Sequence, residues 1–186
     1  MTALDLLDRI SIGRPITRGP FRAYPLYQHG PAAGEYLTGP EASARNLVTV
    51  DETDSTTVPT LSVTNRGDVP VLLIDGETFE GGLQNRMLNV NVLLAAGRSD
   101  VPVSCVEAGR WGGRRNMGRS THHAPSAVRS RMVDSVNFSV RNYDSKGGDQ
   151  SGVWDEVSRT LSERKTVSHT AALHDVFSAQ VDDVIY

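Results

Sequence analysis

The densest run of reactive side chains lies between Asp75 and Val90, in DGETFEGGLQNRMLNV. Glu77 and Glu80 stand three apart, and Gln84, Asn85 and Arg86 follow within the same connection. Gly76, Gly81 and Gly82 let the backbone take positive φ and approach a ligand closely. Carboxylates so placed work as acid and base or hold a cation. The alternative is that they are solvated turn residues and that the glycines only shape a bulge. The Gln-Asn-Arg triplet weighs against that alternative, because three long polar side chains entering a strand need partners or water.

A second group lies in PVSCVEAGRW, residues 102–111. Strand alternation puts Val101, Val103 and Cys105 on one face and Ser104 and Val106 on the other, with Glu107 ending the strand on the side of Cys105. Cys105 is a nucleophile only if a nearby cation favours its thiolate, and otherwise a small buried hydrophobe, the commoner role. Glu107 either takes part in acid–base chemistry or pairs with Arg110. Trp111 is either a packing anchor or a stacking surface for a ring.

Between Ala108 and Val133 stand six arginines, at 110, 114, 115, 119, 129 and 131, and no acid. Guanidinium forks on a Gly-rich backbone suit phosphate groups, while a solvated loop or pairing with distant acids is the plainer reading. His122 and His123 lie among them without the spacing of a metal motif, and neighbours in a strand point opposite ways, so no metal is expected. In QSGVWDEV, residues 150–157, Ser151 is expected to cap a helix, Trp154 to pack in the core, and Gln150 to reach a ligand only if the helix start faces the sheet loops. His169 and His174 are expected at the surface.

The elements that must position these groups follow from the rest of the chain. Its 186 residues predict a single domain, residues 1–186. At 38% hydrophobic and 22% charged residues, with a net charge of -3, the chain is expected to fold and to lack a field that draws it to nucleic acid or membrane. The single cysteine excludes an internal disulfide and fits a reducing cytoplasm, and no apolar run reaches the ~18 residues of a membrane span. With no signal-peptide pattern at the N-terminus, a soluble cytoplasmic protein is expected.

Residues 3–10 carry a short helical pattern through Leu4, Leu7 and Ile10, and GRPITRGPFRAYPLY reads as extended chain broken by Gly and Pro. GPEASARNL predicts a short helix with Pro near its start. Strands are expected over 47–52, 59–65, 69–75, 87–94 and 100–107, with NRGD as a tight turn. Residues 108–124 read as a Gly/Arg-rich loop. Residues 125–143 divide between helix and strand signals, and two helices are expected after residue 150. The last of these shows a stripe of Leu173, Val176, Phe177, Val181, Val184 and Ile185. The whole reads as α+β, an antiparallel β-sandwich or small barrel over about 20–107, followed by a mixed and helical part, 125–186.

The runs PVLLIDGETFEGGLQNRMLNVNVLL and VPVSCVEAGRW, with the later QSGVWDEV, resemble the signature of the ARG and rhodanese-phosphatase-superfamily-associated protein domain family, across most of residues 20–186. ARG in that name denotes ADP-ribosylglycohydrolase. The motif positions are Gly76, Glu77, Gly82, Gln84, Asn85 and Arg86, then Cys105, Glu107, Arg110 and Trp111, then Gln150 and Trp154. The resemblance implies genomic association with ADP-ribose metabolism and no established activity. It also implies a further strand-bearing segment after the last helix, so that a chain ending at Tyr186 would be a short form.

Two functions are expected on this basis. In the first, the protein binds, and in its catalytic version hydrolyses, an ADP-ribose-like or other nucleotide-derived phosphate ligand. Glu77 and Glu107 are then the catalytic candidates, and Gln84, Asn85, Arg86, Arg110, Trp111, Arg114 and Arg115 the ligand-binding ones. In the second, the chain is a non-catalytic protein-interaction module whose polar motif residues are structural. A nucleotide-like small molecule is the partner implied by the first; nucleic acid and membrane are not expected, no cofactor is assigned, and homo-oligomerisation is left open.

Overall fold

The computed structural model of this chain describes residues 7–30, 34–53, 60–110, 112–113 and 116–178. The chain divides into two compact units, Met1–Glu35 and Tyr36–Tyr186. No helix among the described residues is long and apolar enough to cross a membrane.

The first unit consists of four short strands, β1 (Ile10–Ile12), β2 (Ile16–Arg18), β3 (Phe21–Ala23) and β4 (Leu26–Gln28). β1 pairs antiparallel with β4. β2 and β3 form a hairpin with Arg18 opposite Phe21, turned by Gly19 at φ +57° and Pro20. Of the helical pattern expected over 3–10, Leu4 lies outside the described residues, and Ile10 begins β1 instead. Ile12, Ile16, Phe21, Leu26 and Tyr27 all stand exposed.

The second unit opens with β5 (Leu37–Thr38) and α1 (Gly39–Ala44). Thr38 caps α1 in a capping box, its Oγ1 accepting from the Glu41 N–H while the Glu41 carboxylate accepts from the Thr38 N–H. Eight strands follow: β6 (Val48–Glu52), β7 (Thr60–Asn65), β8 (Val71–Leu73), β9 (Glu77–Gly81), β10 (Arg86–Leu88), β11 (Val92–Leu94), β12 (Gly97–Cys105) and β13 (Asn116–His123). Six of them close a barrel in the order β10-β12-β7-β6-β13-β9, every pairing antiparallel. The nine-residue β12 spans a seam: Gly97–Pro102 pairs with β7, and Val103–Cys105 passes to β10. A separate three-stranded sheet has the order β11-β8-β5. The small barrel is thus the architecture, one of the two expected.

Alternation along the strands sorts side chains into two cores. Leu61, Val63, Phe79, Leu88, Val101 and Val103 pack in the first, with Val71, Leu73 and Leu94 of the small sheet. Met87 and Val106, one residue out of phase with Leu88 and on the opposite face from Val103, belong to the second, beneath the helices. That layer consists of α2 (Ser126–Tyr143), α3 (Gln150–Glu163) and the short α4 (Asp175–Ser178). α2 buries Val128, Met132 and Val136, and α3 buries Val153, Val157 and Leu161; both rows follow an i, i+4, i+8 spacing. Each such aliphatic side chain contributes about 1.5–3 kcal/mol through burial.

Several elements differ from expectation. The region 108–124 is not all loop: β13 occupies Asn116–His123 and closes the barrel between β6 and β9. Its two neighbours supply the hydrogen bonds that its polar sequence does not advertise. The run 87–94 is two strands in different sheets, interrupted where the Asn91 carboxamide accepts from the Asp75 N–H at 2.9 Å. Residues 126–143 form one helix, because Met132 and Val136 have a core to enter. The cap of α3 is Asp149, whose Oδ1 accepts from the Gly152 N–H at 3.2 Å, and not Ser151. The last helical pattern yields α4 alone; Val181, Val184 and Ile185 lie outside the described residues.

Candidate functional site

The turn between β9 and β10 and the chain leaving β12 do meet, and Arg110 joins them. Its Nε and Nη2 fork onto the two oxygens of Glu107 at 3.0 and 2.7 Å. Nη1 donates to the carbonyls of Gly82 at 2.6 Å and Gly112 at 3.4 Å. Nη2 also reaches the Gly81 carbonyl and Asn85 Oδ1, each at 3.1 Å. A guanidinium has five N–H groups, and all five are engaged within the protein. The turn that presents these carbonyls depends on Gly82, at φ +56° with the Glu52 carboxylate 2.7 Å from where a Cβ would stand.

Glu107 is equally occupied. Besides Arg110 it accepts from Thr170 Oγ1 at 2.8 Å and from the Asn85 N–H at 3.1 Å, and it is 4% exposed. Burial pushes its carboxyl up, but the hydrogen bonds from Arg110, Thr170 and the Asn85 N–H outweigh burial and hold it below the ordinary carboxylate range. Glu107 is therefore a carboxylate at neutral pH, and its bond to Arg110 raises the guanidinium in turn.

The rest of the motif belongs to the same lattice. Gln84 Nε2 donates to the Glu107 carbonyl at 2.9 Å, and its Oε1 accepts from Arg86 Nη1 at 3.1 Å. Arg86 also donates to Cys105 Sγ at 2.9 Å and lies 3.6 Å from Glu52. Burial pushes the Cys105 thiol up despite that guanidinium, which leaves the sulfur protonated at neutral pH and a poor nucleophile. The start of α3 does face the sheet. There the Gln150 carboxamide exchanges two 2.8 Å hydrogen bonds with the backbone N–H and carbonyl of Cys105, as a neighbouring strand would.

Glu77 stands apart from this lattice. It is 1% exposed, accepts from the Ile74 N–H at 3.1 Å, and pairs with Arg119 at 2.8 Å beneath Gly39 of α1. The same pairing recurs along the arginine run: Arg129 meets Asp75 at 2.8 Å and Arg131 meets Asp149 at 2.6 Å. Arg110, Arg119, Arg129 and Arg131, four of the six arginines between residues 108 and 133, thus each face a carboxylate from elsewhere in the chain or from the adjoining turn. Trp111, Arg114 and Arg115 lie outside the described residues. Trp154 is partly buried, and its Nε1 has no hydrogen-bond partner.

A different cluster was not legible in the chain. Residues 170–173 run beside 106–109: the Gly109 N–H donates to the Thr170 carbonyl at 2.7 Å and the Leu173 N–H to the Val106 carbonyl at 2.9 Å. This carries His174 to Glu80 of β9 and His122 of β13, with one donor atom from each residue all within 4.8 Å of one another. His122 reaches this place through an irregularity in β13, where the register with β9 shifts between Arg119 and His123. His123, its neighbour, lies by Gly76 instead, the opposite orientation expected of adjacent strand residues. The sequence marks Glu80 as a carboxylate able to hold a cation, but it gives no reason to join His122 to it and places His174 at the surface, where the structure instead buries the His174 Nδ1; Glu80 and His174 stand 94 positions apart.

No curated protein and no solved structure matches the chain. The model of the ARG and Rhodanese-Phosphatase-superfamily-associated Protein domain matches residues 9–185, nearly the whole sequence and all three motif stretches, and the chain belongs to that family.

Proposed function

We propose that this protein is a non-catalytic protein-interaction module whose polar motif residues hold the barrel's hairpin ends together. The observation that carries this reading is the closed hydrogen bonding of Arg110: Glu107, Gly81, Gly82, Asn85 and Gly112 take every donor it has. A catalytic acid or a phosphate clamp needs a proton or a donor available to the ligand. Glu107 is anionic and saturated, and the Cys105 thiol is held protonated. Contact surface is available elsewhere, in the exposed apolar side chains of Ile16, Phe21 and Leu26 and, on α2, of Phe138 and Tyr143.

A second reading has the family's description behind it. The association with ADP-ribosylglycohydrolases favours a nucleotide-derived phosphate ligand, with ADP-ribose as the first compound to try. Thermal unfolding with ADP-ribose, NAD and cyclic nucleotides separates the two, since a ligand of the folded state raises the midpoint by mass action. The interaction reading expects no shift with any of them, and marked destabilisation by Glu107→Gln and Arg110→Ala. A saturable rise with any one of these nucleotides overturns it.

A further inference from the structure

We infer that Glu80, His122 and His174 form a binding site for a divalent transition-metal ion, which clips the C-terminal segment carrying His174 onto β9 and β13. Two imidazoles and one carboxylate are the donor set that suits zinc and its neighbours, with a further position left for water or another ligand.

Three observations carry the inference beyond proximity. Glu80 Oε1 lies 2.9 Å from His174 Nδ1, yet off the direction of a ring N–H, so Nδ1 is buried without a hydrogen-bond partner. A plain ion pair would line up; two donors sharing an ion need not. With bonds of roughly 2.0–2.1 Å, neighbouring donors on one ion stand roughly 2.9–3.4 Å apart. Second, each histidine has a hydroxyl near one ring nitrogen. Ser120 Oγ lies 3.3 Å from His122 Nδ1, and Ser178 Oγ lies 3.4 Å from His174 Nε2. A hydroxyl accepting the proton there fixes the tautomer that turns a lone pair on the remaining nitrogen toward the ion. Third, the rings are held in place. His122 stacks on Phe177 at 4.3 Å and 5°, and meets His174 edge-on at 5.9 Å. Beside Glu80 and His174 a cavity of about 10 Å³, walled by Val106, Leu173 and Phe177, has room for about one water.

The three ligands are distinct from the side chains of the Arg110 lattice, and a metal here ties Leu173–Ser178 to the barrel whatever the barrel's partner is. The test uses the full chain stripped with EDTA. Titration calorimetry with Zn²⁺ is expected to show one site per chain, and Zn²⁺ to raise the unfolding midpoint until EDTA reverses it. Co²⁺ is expected to give visible absorption bands of a low-coordinate N/O site. His174→Ala, His122→Gln and Glu80→Gln are each expected to weaken Zn²⁺ binding tenfold or more, while His169→Ala leaves it unchanged. Absence of stoichiometric Zn²⁺ binding and of a Co²⁺ spectrum in the unaltered chain overturns the proposal, without reference to whether a variant folds. So does binding that survives undiminished in a folded His174→Ala or His122→Gln chain.

Discussion

Two polar clusters share strand β9, and they are built on opposite principles. Around Glu107 and Arg110 every lone pair and proton has a partner, and the charges sit behind the Gly81–Gly82 turn. Around Glu80, His122 and His174 the groups are close but one buried nitrogen has no hydrogen bond. The first arrangement rigidifies the fold; the second leaves valence for something from outside. Density of polar residues in sequence marked the closed cluster, while the open one came from side chains far apart. A guanidinium saturated by carbonyls and a carboxylate is a structural part, however reactive its residue types look in a list of letters.

The comparison breaks most sharply at Arg110. Arg110→Ala leaves Glu107 buried and charged without its fork, and is expected to cost about 3 kcal/mol. In denaturant unfolding that appears as a lower midpoint at an unchanged slope. A loss below about 1 kcal/mol would mean that the cluster is not what holds the turns together.

Gly113→Ala comes next. A Cβ there would overlap the Gly82 carbonyl and stand 2.8 Å from Arg110 Nη1, forcing the turn off the guanidinium. About 1–3 kcal/mol is expected, read by the same unfolding curve.

Acid should sharpen the picture. The folded pKa of Glu107 lies below its unfolded value, so its contribution is complete above the unfolded pKa of about 4.3 and is lost as pH falls through the folded value. The stability gap between the unaltered chain and Glu107→Gln is expected to stay constant from about pH 7 to about pH 5 and to narrow below about pH 4. A gap that changes across the neutral range would place the titrating group elsewhere.

The smallest effect belongs to the exposed pair Arg131–Asp149, whose side chains are 48% and 42% exposed. Arg131→Ala is expected to change stability by less than about 0.5 kcal/mol, whereas Asp149→Ala also removes the α3 cap and costs about 1 kcal/mol. Equal losses from both would show that the pair, and not the cap, is what matters.

Legibility in the chain followed the same divide. The strands β6, β7 and β12 were readable because Val50, Leu61, Val63, Val101 and Val103 alternate with side chains of the other face. β13 was not, because Met117 is its one buried hydrophobe among the described side chains and its strand character comes from β6 and β9 on either side. The single helix α2 was half legible: Val128 and Met132 keep helical spacing, but Phe138 and Val140 are exposed and imitate a strand. At the site, the chain marks Gln84, Asn85, Arg86, Glu107 and Arg110 as candidate ligand-binding or catalytic groups, and the structure bonds them to one another, with Gln150 beside them and Glu77 apart. Whether they faced a ligand or one another depended on angles and donor counts that residue spacing does not encode. Glu77 could not be separated from them in advance, since β9 turns it toward Arg119 and α1 while Glu80 goes to the other face.

The amino-acid order alone determined the family and the β-rich body, because alternation, turn chemistry and motif are local properties of the chain. The tertiary structure decided that the barrel closes through a polar strand, that Arg110 is sealed by five acceptor groups, and that His174 arrives beside Glu80 and His122. Closure, saturation and convergence each depend on where distant backbone segments pair, and no short window of sequence contains both members of such a pair.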